Sequence, residues 1–249
     1  MPTAARAIFP RGLQQPESGF RFSADALLLA CFSPAPTGTQ VLDLGAGCGV
    51  VGFGLALRQP GIQLTGVDCN PEMVAAAREN AARLGLEQRA VFVEADAALV
   101  RDTATPLDPE SFPLVVCNPP YRDPETGRSC NDAARQQARF AGKQGLHAFV
   151  EAAAYVLCNR GRLCLVYLAE RLPALLTLLR DHRLEPKRMR FVHSRADAAA
   201  KLVLVEARKN GGAQLTVEAP LVLYTAAGLS PEATAFCPYL ACNARRRTS

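Results

Sequence analysis

The chain has 249 residues, of which 49% are hydrophobic and 20% are charged, and its formal net charge is +5. These values suit one globular α/β domain with small additions, or at most two small domains, with ample core material. The mild basicity favours a polyanionic partner without requiring one. No apolar run reaches the roughly 18 residues of a membrane-spanning helix, and the first six residues lack the apolar core of a signal peptide.

The cysteines and histidines predict neither a disulfide framework nor a metal site. There are nine cysteines, an odd number, without a Cys-x-x-Cys pair. The three histidines, His147, His182 and His193, are far apart in the sequence. Scattered thiols of this kind are typical of a reducing compartment, and structural zinc sites need closely spaced ligands. We therefore expect free thiols, no metal and a cytoplasmic location.

Composition divides the chain into three parts. We expect residues 1–22, which carry three arginines, to form an extended basic arm. Residues 23–225 form the main domain, whose first helix begins after Ser23, a good N-cap residue, with Asp25 in its first turn. Residues 226–249 form a C-terminal tail. An extended pattern covers residues 215–224, and we expect the chain to fray after it.

The first strand, Gln40–Leu44, runs into a glycine-rich turn that suits a nucleotide ligand. Such a turn lets the backbone approach a ligand closely and points helix N–H groups at it. From Gly47 onwards the sequence matches the dinucleotide pattern G-x-G-x-x-G. Counted from Gly45, where the strand ends, it reads G-x-G-x-G through Gly49 and resembles the loop of enzymes that use S-adenosyl-L-methionine (AdoMet). In that loop an acidic residue lies near the methionine ammonium, and Asp43 has this position.

Acidic residues follow the next two predicted strands. Asp68 ends the strand Gln63–Val67 and lies 19 positions after Gly49. An acidic residue about 20 positions after the glycine turn binds ribose hydroxyls in folds of this type. Asp96 follows the strand Ala90–Val93, and resemblance to AdoMet enzymes implies a contact with the adenine amine of the cofactor.

The fourth predicted strand, Leu114–Cys117, ends in Asn118, Pro119, Pro120 and Tyr121. Two prolines fix their own backbone and extend the residue before them, so the loop is stiff. The Asn118 side-chain oxygen and the Pro119 carbonyl can accept both N–H bonds of a flat amine, while Tyr121 stacks on its face. This four-residue loop resembles the catalytic loop of methyltransferases that use AdoMet to methylate amino groups conjugated to a π system. The resemblance favours AdoMet over NAD as the ligand of the glycine turn.

Two basic regions are candidates for contacts with RNA phosphates. Residues 122–143 directly follow the loop Asn118–Tyr121, called the proline loop below. They include Arg122, Arg128 and Lys143. Residues 180–209 contain nine basic and four acidic residues, Arg188 and Arg190 among them. Lysine and arginine also occur on strand edges merely to prevent aggregation.

The remaining elements complete an α/β fold. We predict a helix over Gln144–Cys158, a strand over Arg162–Leu168 after a turn at residues 159–161, a helix over Glu170–Asp181, and strands over Lys187–His193 and Lys201–Ala207. Alternation of this kind predicts a seven-stranded, mostly parallel sheet with one antiparallel strand and helices on both faces. In such sheets ligands bind at the carboxyl ends of the strands, and the Gly45 turn, Asp68, Asp96 and Asn118 all fall at predicted carboxyl ends.

From Gly19 to Tyr224 the chain resembles class I AdoMet-dependent methyltransferases, and most closely the bacterial adenine-N6 methyltransferases that modify valine tRNA at position 37. Six segments carry the resemblance: Arg21–Asp25, the Gly45 turn, Asn118–Tyr121, Ala169–Leu172, Leu184–Arg188 and Leu202–Lys209. It implies AdoMet as cofactor, no metal, tRNA as partner, and a place for Phe22 and Asp25 beside the cofactor.

Four other functions compete with this one. Protein glutamine N5-methyltransferases present the same type of amine, but they usually carry a helical N-terminal domain, for which 44 residues before the glycine turn leave no room. Guanine-N2 methylation of ribosomal RNA uses a similar loop. A non-catalytic module that binds AdoMet or RNA, and an NAD-dependent dehydrogenase, are the other two.

Overall fold

The computed structural model describes residues 8–16, 23–101, 107–121 and 145–243. The helices are α1 (Ala24–Phe32), α2 (Val50–Arg58), α3 (Pro71–Arg83), α4 (Leu146–Val156), α5 (Leu172–Asp181), α6 (Pro231–Phe236) and α7 (Tyr239–Asn243). The main strands are β1 (Gln40–Leu44), β2 (Gln63–Asp68), β3 (Ala90–Glu94), β4 (Phe112–Cys117), β5 (Leu157–Leu168), β6 (Leu184–His193) and β7 (Ala200–Lys209). Short strands follow as β8 (Thr216–Val217), β9 (Leu221–Val222), β10 (Tyr224–Thr225) and β11 (Gly228–Leu229).

The central sheet has the order β3-β2-β1-β4-β5-β7-β6. Strands β1 to β5 are parallel, and β7 is inserted antiparallel between β5 and β6. The predicted fold, mostly parallel with one antiparallel strand, is confirmed. Two additions lie beyond the predicted seven strands, since β8 and β9 pair with β6 in parallel.

Alternate residues of the buried strands face two different layers of helices. In β1, Val41 packs with the cluster that includes α1, α2 and α3, whereas Leu42 and Leu44 pack with α4 and α5. This alternation follows from the two-residue period of a strand. The predicted arrangement of helices on both faces is therefore confirmed.

Several element boundaries differ from the prediction. Helix α4 ends at Val156, and β5 begins at once with Leu157, which pairs with Phe112 of β4. The predicted turn at residues 159–161 is instead an irregularity within β5, where Arg160 has a φ of 66°. Strand pairing has overridden the helical pattern of these residues, as tertiary contacts often do. Helix α5 starts two residues late, after a 3-10 turn over Ala169–Arg171.

The C-terminal residues 231–236 and 239–243 are helical, so the expectation that this segment frays is wrong. Ser230 caps α6 by accepting a hydrogen bond from the Ala233 N–H, 2.9 Å away. Cys237 and Leu240 are buried in the same cluster as α1, and Tyr239 donates a hydrogen bond to the carbonyl of Gly54 at 3.1 Å. The Ser-Pro pair at residues 230–231 is the helix-start signal that sequence reasoning passed over.

Two further properties concern the described ranges alone. All the cysteines there are free thiols. None of the helices there combines the length and the apolar character that crossing a membrane requires.

Candidate active site

The carboxyl ends of β1, β2 and β4 surround a cavity of about 560 Å³. Register explains the convergence, because Leu44, the last residue of β1, pairs with Val67 on one side and with Cys117 on the other. Seven of the predicted site residues line this cavity: Gly45, Gly47, Asp68, Asn118, Pro119, Pro120 and Tyr121.

The glycine turn has a positive φ at all three glycines, and two of the three also lack space for a side chain. Gly45, Gly47 and Gly49 have φ angles of 73°, 54° and 90°, which side chains rarely adopt. A Cβ on Gly45 would lie 2.6 Å from the Phe149 ring, and a Cβ on Gly49 would lie 2.3 Å from the Phe53 ring. A Cβ on Gly47 would have no atom within 4 Å. Gly45 and Gly49 thus permit close packing behind the turn, while Gly47 leaves open space on the cavity side.

Asp43 lies beneath this turn and not in the cavity wall. The residue is 1% exposed, and its Oδ2 accepts a hydrogen bond from the Gly52 N–H at 2.8 Å. Its Oδ1 has no hydrogen-bond partner among the described atoms. Burial, with a smaller contribution from the charge of Asp68, raises the pKa of Asp43 to about 7. The contact with a methionine ammonium stays a prediction.

Asp68 joins the end of β2 to the glycine turn. Its Oδ2 accepts a hydrogen bond from the Gly47 N–H at 2.8 Å, and its Oδ1 accepts one from the Asn70 N–H at 2.9 Å. Burial raises the pKa of Asp68 above its usual value. Each carboxylate oxygen keeps a second lone pair for a ligand hydroxyl.

Asp96 stands at the edge of the site. Its Oδ1 caps a 3-10 turn over Ala97–Leu99 by accepting a hydrogen bond from the Ala98 N–H at 2.8 Å. The neighbours of Asp96, Ala95 and Ala97, line the cavity, whereas Asp96 itself does not. Its predicted contact with the adenine of a cofactor stays a prediction.

The proline loop holds Tyr121 in a fixed position. The hydroxyl oxygen Oη lies 2.9 Å from Asp25 Oδ2 and 3.1 Å from Asn118 Oδ1. The ring meets that of Tyr167 edge to face, with 5.8 Å between centroids. Burial, followed by the charge of Asp25, raises the pKa of Tyr121 far above its ordinary value. Asp25 also lines the cavity, and Phe22 lies outside the described residues.

The structure gives intramolecular partners to the two candidate RNA-binding arginines of β6. Arg188 contacts Glu206 at 2.9 Å and Glu218 at 3.0 Å, and it donates to the Phe32 carbonyl at 2.8 Å. Arg190 pairs with Glu232. Neither lines the cavity. RNA contact stays a prediction for both, and these contacts do not support it. The other three candidates, Arg122, Arg128 and Lys143, lie outside the described residues.

Sequence reasoning missed the apolar part of the cavity wall. Met73 of α3 and Phe149 of α4 line the cavity. Both belong to the buried stripes of their helices, so the sequence carries no signal that separates them from core residues. Asn70 also lines the cavity, and it had a signal, since it caps α3 by accepting a hydrogen bond from the Glu72 N–H.

Comparison with known proteins assigns the chain to a family. The model of the methyltransferase small domain matches residues 23–184. A tRNA1(Val) (adenine(37)-N6)-methyltransferase from Tolumonas auensis is 30% identical, covering 71% of this chain and 74% of the relative. One from Aeromonas hydrophila is 29% identical and covers 84% of each chain.

Two other proteins are also similar to this chain. A release factor glutamine methyltransferase from Caulobacter vibrioides is 37% identical, covering 47% of this chain and 40% of the relative. A solved structure, described as a predicted O-methyltransferase from Agrobacterium tumefaciens, has a TM-score of 0.71 at 24% identity, covering 86% of this chain and 96% of that chain. The chain therefore belongs to the methyltransferase small domain family and is an AdoMet-dependent methyltransferase related to the tRNA1(Val) (adenine(37)-N6)-methyltransferases.

Proposed function

We propose that the protein transfers the methyl group of AdoMet to the N6 amine of an adenine in RNA, at position 37 of a tRNA anticodon loop. The observation that carries the proposal is that Asn118–Tyr121 and the glycine turn line one cavity. The loop proposed to bind the amine and the turn proposed to bind the nucleotide thereby line one cavity. The names of the relatives from Tolumonas auensis and Aeromonas hydrophila supply the tRNA position.

The residues of the cavity fit AdoMet. Its volume of about 560 Å³ lies within the range of roughly 300–1,000 Å³ of small-molecule sites. Open space at Gly47 admits a ligand against the backbone, and Asp68 has lone pairs for ribose hydroxyls. When bound, AdoMet supplies a methyl group already activated on a sulfonium.

Asn118 and Pro119 prepare the amine for attack. The lone pair of an adenine amine is delocalised into the ring, which makes the amine a poor nucleophile. Hydrogen bonds from both N–H groups to Asn118 Oδ1 and the Pro119 carbonyl would raise electron density on nitrogen and fix its direction. Attack on an activated methyl needs positioning more than acid–base help.

Tyr121 and the form of the RNA complete the proposed mechanism. A base must leave its stack to enter such a cavity, and a single-stranded loop makes this less costly than a duplex does. Tyr121 would hold the base by stacking. Its ring is already fixed by the contacts with Asp25 and Tyr167, so little side-chain freedom is lost on binding.

The experiment uses AdoMet with a labelled methyl group and three separate acceptors: unmodified total tRNA, total ribosomal RNA and cell protein. Nucleoside analysis of the product follows. Label in tRNA as N6-methyladenosine is the expected result, and mapping then tests position 37. Label as N2-methylguanosine in ribosomal RNA would show instead that the acceptor is a guanine of ribosomal RNA. Absence of label from every acceptor, with AdoMet still bound, would indicate a binding module instead.

Asn118→Ala is expected to lower kcat by about 100-fold or more, because the amine loses an acceptor on which its orientation depends. AdoMet affinity and Tm should change little. Both are measured by calorimetry beside the methylation assay. Gln88→Ala, at an exposed amide in a loop, is the matched control. Wild-type turnover in the Asn118 variant would contradict the assigned role.

A protein glutamine is the second candidate acceptor, and the 37% identity to the release factor glutamine methyltransferase favours it. Its side-chain amide presents the same planar NH₂ to Asn118. The protein arm of the labelling experiment separates the two candidates, because label would then be found as N5-methylglutamine.

A further inference from the structure

Asp25 of α1 and Tyr121 of the proline loop meet in the wall of the cavity, although 96 positions separate them in the chain. Tyr121 Oη lies 2.9 Å from Asp25 Oδ2 and 3.1 Å from Asn118 Oδ1. All three residues line the cavity. The hydroxyl thus has two oxygen atoms within hydrogen-bonding distance, but it carries a single proton.

The carboxylate of Asp25 is the stronger competitor for that proton. Hydrogen bonds to an ionised acceptor are roughly twice as strong as those between neutral groups. Tyr121 keeps its proton, because burial and the charge of Asp25 both oppose its ionisation. Once the proton points to Asp25, a lone pair of Oη faces the amide of Asn118. Two oxygen atoms at 3.1 Å without a proton between them repel each other, so this position of the amide requires a donor.

The amide of Asn118 can supply a donor without any change of shape. A half-turn about its last bond exchanges Oδ1 and Nδ2, which are nearly isosteric. Nδ2 then donates to Tyr121 Oη, and Oδ1 takes the position that Tyr121 does not contact. Because Asn118 lines the cavity, the acceptor is then the atom that remains available to a ligand.

We propose that Asp25 is a positioning residue for methyl transfer, which acts through Tyr121 on Asn118. The chain of hydrogen bonds runs from Asn118 Nδ2–H to Tyr121 Oη, and from Tyr121 Oη–H to Asp25 Oδ2. It holds Asn118 Oδ1 as the acceptor for the substrate amine, and in this it rests on the proposed function. Without Asp25 the tyrosine proton turns to Asn118 Oδ1, and the amide then presents N–H groups to an amine that itself donates.

A double-mutant cycle separates this role from a direct contact between Asp25 and the cofactor. Asp25→Leu is expected to lower kcat on the order of 100-fold, the scale of a misplaced reacting group. In a Tyr121→Phe background the same substitution should change kcat less than about twofold, because no hydroxyl remains to orient the amide. Asp25→Asn keeps an acceptor oxygen for the Tyr121 hydroxyl, so this variant should retain most of the wild-type kcat. Glu87→Leu, at an exposed carboxylate, is the control.

An equal loss of kcat from Asp25→Leu in both backgrounds would overturn the proposal, since Asp25 would then act independently of Tyr121. The cycle is run on whichever acceptor the wild type methylates, so a wrong tRNA assignment does not affect it. Should no acceptor be methylated, the same four proteins are compared by thermal unfolding. Non-additive changes of Tm then support the Asp25–Tyr121 bond, whereas additive changes overturn it.

Discussion

At the scale of single residues, we expect a substitution of Gly49 to affect mainly stability and a substitution of Gly47 to affect mainly ligand binding. Gly49→Ala forces a Cβ to within 2.3 Å of the Phe53 ring at a φ of 90°, and we expect it to lower the free energy of unfolding by about 3 kcal/mol. Gly47→Ala meets no atom within 4 Å, so it should cost about 1 kcal/mol of strain but weaken AdoMet binding at least tenfold. Chemical denaturation and calorimetry measure the two effects. Equal AdoMet affinity in wild type and Gly47→Ala would contradict this division.

Asp43 makes stability depend on pH in a defined direction. Its pKa in the folded protein is about 7, above the ordinary 3.8, so between pH 4 and 7 the folded state holds a proton that the unfolded chain releases. The free energy of unfolding therefore falls as pH rises through this window, by up to about 4 kcal/mol. Asp43→Asn removes this contribution. The free energy of unfolding of the variant should therefore rise relative to that of the wild type as the pH increases from 4 to 8. Denaturation of the cofactor-free proteins at several pH values tests this, and parallel profiles would refute it.

At the scale of elements, Arg188 joins β6 to α1 and to the segment after β8. It pairs with Glu206 and Glu218, and its guanidinium lies 3.8 Å from the centroid of the Phe32 ring. Arg188→Ala should lower the free energy of unfolding by about 2 kcal/mol, less than for a fully buried pair because the side chain is 26% exposed. Affinity for RNA should change less than about twofold. Arg195→Ala, at an exposed arginine, is the control for both measurements. A stable Arg188 variant with weakened RNA binding would instead support the phosphate contact predicted from the sequence.

At the scale of the whole molecule, the last described helices complete the core on the α1 side of the sheet. Leu240 is 6% exposed in that cluster, and Leu240→Ala should lower the free energy of unfolding by about 2–4 kcal/mol. Leu215, which is 44% exposed, provides the control, because its replacement by Ala should change stability by less than about 0.5 kcal/mol. Urea denaturation of both variants measures the two changes in the free energy of unfolding. Equal stabilities would mean that residues 231–243 contribute little to the fold.

The sequence by itself determined the parallel sheet and the place of the site. Hydrophobic strands that alternate with helices predict such a sheet. Gly45, Asp68 and Asn118 each lie at the carboxyl end of a strand, so they fall at one edge. Local signals such as the Asn-Pro-Pro-Tyr loop also carry their own chemistry, because proline restricts the backbone wherever it stands.

Only the tertiary structure decided which groups meet across the chain. The contact of Asp25 with Tyr121, 96 positions apart, and the burial of Leu240 against α1 depend on how distant elements pack. The same holds for Arg188, whose charge predicted an RNA contact but which the fold surrounds with Glu206 and Glu218. A local pattern states what a side chain can bind, whereas packing selects, among many possible partners, the one that lies within hydrogen-bonding distance.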